Sequence, residues 1–187
     1  MGIVDIARRF FTSSPSDEVS RDVIAMLPAA RTAGYFAAQA VLTLSGGQSL
    51  PPFVGTEKGA AREHAPVAAG TPGAAVEGGK ELLRANPHGA ERAALVYDIV
   101  LKLGRTRSDA IMAEIIDYRF PKKPLKVAVP YRAASSEGGF AVHKPRFMTA
   151  TELEPASLSA LGDAFFEGVR AHAQGDVVWR ERVDGRQ

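Results

Sequence analysis

The chain has 187 residues, 45% of them apolar and 24% charged, with 23 Lys and Arg against 21 Asp and Glu. This is an ordinary globular composition, and the length suits one domain whose core needs no covalent staples. Cysteine is absent, which excludes disulfides, thiolate zinc sites, iron–sulfur clusters and thiol nucleophiles, and a net charge of +2 argues against a chain coated in positive charge.

The start lacks the basic-then-apolar order of a secretory signal, because Asp5 interrupts the short apolar run and Arg8 and Arg9 follow it. Ser14-Pro15-Ser16-Asp17 has the form of a helix start: a capping serine, proline at the first helical position and an acid three residues on. Val19, Val23, Met26 and Leu27 follow at helical spacing until Pro28, which lacks an amide hydrogen and is expected to end or kink the helix. A second helix over 29–44 should stop at Ser45-Gly46-Gly47, and its small residues Ala30, Gly34, Ala37 and Ala38 permit close packing on another element. The stretch from Val23 to Leu44 is the best candidate for a membrane span, but Pro28, Arg31 and Gln39 count against one. The chain reads as cytoplasmic, with no membrane partner.

Residues 45–80 are rich in Gly, Pro and Ala and read as one long loop, a kind of segment that is commonly functional. Within it the sequence supports a short strand near 52–56 and a helix over 72–84, ended by Asn86-Pro87-His88-Gly89. From Arg92 the apolar period becomes two, through Ala93, Leu95, Tyr97, Ile99, Leu101 and Leu103, which reads as a half-buried strand. Turns at 104–108, 121–124 and 135–139 separate further strands over 109–120, 125–131 and 140–148, with Pro145 suggesting an edge. Short turns imply antiparallel pairing. Thr151-Glu152-Leu153-Glu154 has capping-box spacing before a helix over 155–173, and 177–183 reads as a last strand. The expected fold is a single α+β domain over residues 1–187. It combines a four- to five-stranded antiparallel meander, N-terminal helices and one long C-terminal helix packed on one face.

No motif for catalysis is complete. Gly73 and Gly78 have phosphate-loop spacing, but Gly79 stands where the lysine belongs and Lys80 comes one residue late. Thr43-Leu44-Ser45-Gly46-Gly47 approximates a nucleophile elbow, yet it ends a helix, where glycines close the last turn. His64, His88, His143 and His172 show no metal-ligand spacing; His172 falls on a helix stripe as a packed or capping residue, and His143 lies beside Lys144 and Arg146 on a strand. If Leu103 pairs with Asp109 in the first hairpin, Asp98 faces Glu114 directly. Such a pair would need a cation, a shared proton or a nearby arginine, and with His143 it forms a candidate acid/base or metal site. A one-residue slip would break it up, and solvent-facing acids partnered by neighbouring cations are a further reading. A nuclease-like Glu-x-Lys is missing, since Ile116 occupies the lysine position.

Charge is segregated along the chain. Residues 92–150 carry eleven basic side chains against five acidic, while both flanks are slightly acidic. Arg119, Lys122, Lys123, Lys126, Arg132, Lys144 and Arg146 are the candidate ligand-binding set on the sheet. The leading reading is a non-enzymatic module that engages an anionic small molecule or an acidic protein surface; nucleic acid lacks a supporting motif, and no cofactor is indicated. The alternatives are a small hydrolase using Asp98, Glu114 and His143, and a homo-oligomer built on the alanine-rich helix.

Overall fold

The computed structural model describes residues 19–103, 106–122, 124–148 and 153–184. The fold is α+β, as expected. Its first helix, α1 (Arg21–Ser45), leads into the hairpin β1 (Phe53–Lys58) and β2 (Ala61–Pro66), then α2 (Pro72–Ala85). Strands β3 (Arg92–Leu103), β4 (Thr106–Asp117), β5 (Leu125–Arg132), β6 (Ala141–Val142) and β7 (Arg146–Met148) follow, and α3 (Pro155–Ala171) and α4 (Ala173–Arg182) finish the chain. The strands form one antiparallel sheet ordered β2-β1-β3-β4-β5-β6, with β7 also pairing with β5. Among the described residues the sheet has seven strands, a few more than the sequence suggests.

Helix α1 runs unbroken through Pro28, and Ser20 is its cap, accepting the Val23 amide hydrogen at 3.3 Å. Two helices meeting at Pro28 are therefore corrected to one; the earlier start proposed at Ser14 lies outside the described residues. A proline inside a helix costs about 3 kcal/mol. Burial outweighs that cost here, because α1 lies between the sheet and α3 and places Phe36, Ala37, Val41 and Leu44 in the main core. Its contact with α3 is close. A Cβ added at Gly34 would meet the Phe165 carbonyl oxygen at 1.8 Å, and one at Gly168 the Arg31 carbonyl oxygen at 1.9 Å. The small-residue stripe is thus spent within the fold, so the helix offered for self-association has no free small-residue face.

The segment read as a long loop contains the hairpin β1–β2, in which Phe53 pairs with Pro66 and Lys58 with Ala61. Its apolar residues are few because β2 is an edge strand and mostly exposed. Helix α2 forms as expected, capped by the Thr71 hydroxyl and ended by Asn86 in the left-handed region. It covers the opposite face of the sheet, where Leu83, Ala93 and Leu95 make a second small core. Odd positions of β3 do line one face, but the main core takes the even ones, Ala94 and Val96.

The β3–β4 register differs from the expected one. Leu103 lies opposite Thr106, not Asp109. A three-residue shift is odd, so it exchanges the faces of every β4 side chain relative to β3. The strand expected over 140–148 is interrupted between β6 and β7, at His143, Lys144 and Pro145. The strand expected over 177–183 is helix α4, with Val183 alone making a parallel bridge to Val142. Gly175 and Trp179, one turn apart, are the buried residues of α4, a helical spacing and not a strand's. Glu154 caps α3 without a side-chain bond, and Thr151 lies outside the described residues. Among the described residues no helix is long and apolar enough to cross a membrane.

Candidate functional site

The structure does not bring Asp98 and Glu114 together. Asp98 faces Ile111 on the α1 side of the sheet, whereas Glu114 faces Leu95 on the α2 side. The expected pairing rested on the wrong register. Glu114 is bound by the Tyr97 hydroxyl and by Lys126 Nζ at 3.0 Å. Burial pushes its pKa up, but these two donors outweigh burial and hold it below the usual carboxylate range. Asp98 accepts the Tyr131 hydroxyl at 3.0 Å; burial chiefly, with the nearby Asp109 charge adding to it, raises its pKa. Among the described residues no group of three or more His, Asp or Glu side chains is arranged to hold a metal ion.

The basic residues do not form one continuous face. Arg119 and Lys122 lie at the β4–β5 turn, where Asp117 binds Arg119 through three hydrogen bonds. Lys126 is neutralised by Glu114. Lys123 lies outside the described residues. Arg132, at the far end of β5, donates to the carbonyls of Gly139 and Gly138 at 2.8 and 3.2 Å and sits 3.6 Å from Asp184. At roughly 3.3 Å per residue, β5 separates its two ends by about 20 Å.

Around that far end lies an open groove of about 700 Å³, lined by Arg107, Asp109, Tyr131, Arg132, His143 and Arg146 among others. A smaller hollow beside it shares His143 and Arg146 and adds Lys144. The structure therefore gathers Arg132, Lys144 and Arg146 from the expected ligand-binding set with His143 from the expected acid/base site, and adds Arg107 from β4. Among the described residues Arg107, Lys144 and Arg146 have no ion-pair partner. His143 is 7% exposed, and its Nδ1 is buried without a hydrogen-bond partner. It arrives there because the β6–β7 break at Pro145 ends the ladder just after the His143 amide bonds Pro130 at 2.9 Å.

Sequence reasoning missed a second cluster. Arg62, Glu57, Arg92 and Asp117 stand side by side on β2, β1, β3 and β4, in an alternating row of charge across four strands. Glu57 accepts from Arg62 Nε at 2.8 Å, from Arg92 Nε at 3.0 Å and from the Thr32 hydroxyl of α1 at 3.2 Å. Glu57, Arg92 and Asp117 are all buried. Burial alone would raise the pKa of Glu57 and Asp117, but the arginines outweigh it and hold both low. Every acceptor is satisfied, so this row reads as structure. The β1–β2, β1–β3 and β3–β4 registers together assemble it, and no local spacing marks it.

Of the remaining histidines, His172 and His64 pack within the fold. His172 Nδ1 accepts the Gly175 amide hydrogen at 3.0 Å and caps α4, while Nε2 meets Gln39 Oε1 at 2.9 Å. His64 rests on Phe53 with ring centroids 5.4 Å apart. His88 borders a cleft of about 180 Å³ between α2 and the β1–β2 hairpin. Compared with protein-family models, curated proteins and solved structures, the chain matches none.

Proposed function

We propose that this chain is a non-enzymatic binding module that takes an anionic ligand in the groove at the end of the sheet. One observation carries the reading: a nine-tenths-buried histidine without a partner for its Nδ1 lies among three unpaired cations. Buried polar groups are almost always hydrogen-bonded, so an orphaned one beside a solvent groove suggests a ligand as its missing partner. Arginine suits the role because its fork binds two oxygens of an oxyanion at once. Arg132, held by two carbonyls and Asp184, frames the groove.

Titration with inorganic polyphosphate by calorimetry tests the reading. Affinity should fall as salt rises, since exposed charges are screened over about 10 Å at 0.1 M. Arg107→Glu with Arg146→Glu should weaken binding roughly tenfold or more, at about 1.5–3 kcal/mol per charge-assisted contact. Lys122→Glu, at the other end of the sheet, should leave it unchanged. Binding that ignores the arginine pair, or no binding at all, overturns the proposal.

A further inference from the structure

The groove is not uniformly basic. Asp109, on β4, lies opposite Tyr131 and diagonal to Asp98, and its carboxylate has no ion-pair or side-chain hydrogen-bond partner among the described residues. Arg107, Arg132, Arg146 and His143 therefore share one groove with Asp109 and with Asp184, the latter held by Arg132. An acidic protein surface would bring carboxylates against Asp109, and like charges at an interface cost several kcal/mol. Bare phosphate would satisfy the cations and leave the acidic end open. A volume near 700 Å³ falls within the range of small-molecule sites and far exceeds one phosphate.

A ligand that fits both ends carries an oxyanion at one and hydroxyl donors at the other. Resting on the anion-binding reading, we infer that the groove takes a phosphorylated polyol of the sugar-phosphate class. Its phosphate lies at His143, Lys144 and Arg146, and its hydroxyls donate to Asp109. Hydrogen bonds to a charged acceptor contribute about 1.5–3 kcal/mol, so an unpaired carboxylate can set the preference. His143 supplies a ring N–H to the phosphate, and Arg107, two residues before Asp109 on β4, lines the same groove.

Calorimetric titration of the whole chain with ribose 5-phosphate, glucose 6-phosphate, glycerol 3-phosphate and inorganic phosphate tests this. At least one phosphorylated polyol should bind roughly tenfold or more tightly than inorganic phosphate. Asp109→Asn, an exposed and nearly isosteric change, should abolish that preference and leave phosphate affinity intact. His143→Gln should weaken phosphate and polyol phosphate alike. If none of the three outbinds inorganic phosphate, or if Asp109→Asn leaves the ratio unchanged, the inference falls. Polyphosphate separates the two readings. Arginine-dependent polyphosphate binding without a polyol preference leaves the anion module standing, whereas loss of both removes both.

Discussion

Single side chains here carry two different kinds of consequence. Glu57 bridges the buried Arg92 and the half-buried Arg62, so Glu57→Ala leaves Arg92 in the buried row with only its longer contacts to Asp117 and Glu91, both 3.5 Å. The expected loss is about 3–5 kcal/mol, readable as a drop in the denaturant midpoint. Removing an acid from the open groove, as in Asp109→Asn, should by contrast change stability by no more than about 0.5 kcal/mol. His172 contributes a pH dependence. Its Nδ1 must be unprotonated to accept from Gly175, and burial first of all lowers its pKa below the ordinary 6.5. A depressed folded pKa means the unfolded chain binds protons more readily, so this contribution is present above about pH 6.5 and lost as pH falls. Melting temperature should decline from pH 7 to pH 5, and His172→Asn, which retains a capping acceptor, should flatten that decline.

At the scale of elements, packing overrides local propensity in α1. Pro28 deprives the Ile24 carbonyl of its helical donor, so Pro28→Ala should stabilise the protein by about 1–3 kcal/mol in equilibrium unfolding. No gain would mean that the surrounding packing already compensates. The α1–α3 contact predicts the opposite. Gly34→Ala places a methyl against the Phe165 carbonyl, and backbone cannot move aside as a flexible side chain can. A loss of about 3 kcal/mol is expected, at the upper end of ordinary overpacking. The same close approach explains why the stripe of small residues was legible as a packing surface while its partner was not. Glycine spacing reveals that something comes near; it does not say what. The β3–β4 hairpin is the reverse case. β3 was legible from its period of two and β4 as the strand after a turn, but both faces of β3 are covered, one by α1 and the other by α2. With apolar residues acceptable on either side, alternation could not choose the register, and the Asp98–Glu114 pair disappeared with the wrong choice.

For the whole molecule, the net charge of +2 conceals a division of labour. Much of the basic charge of the sheet is neutralised laterally, by Glu57, Asp117, Glu114 and Asp184, while Arg107, Lys144 and Arg146, without ion-pair partners among the described residues, line the groove and the hollow beside it. Glu57, Glu114 and Asp117 all have lowered pKa values, so each adds stability above its unfolded value of 4.5 or 3.8 and loses it as pH falls further. Asp98 has the opposite sign: its raised pKa costs stability at neutral pH, and that cost vanishes in acid. Three carboxylates outnumber one, so unfolding free energy should drop steeply below about pH 4.5. A denaturation series across pH 3–7 checks the steepness, and Glu57→Gln should make it shallower.

The α+β class, the antiparallel pairing of the central strands, α2 and the long helix α3 all follow from residue order, because period, caps and turn residues act over a few neighbours. The nearness of His143, Lys144 and Arg146 was legible for the same reason. What only the tertiary structure decided is which charges remain free. Arg119, Lys126 and Arg132 look alike in sequence to Arg107 and Arg146, but the first three meet acids across a turn, a strand pair or a loop. Neutralisation is settled by strand register and face, over separations that no local pattern reports. The sheet, more than the composition, therefore fixes which basic side chains stand without an acidic partner.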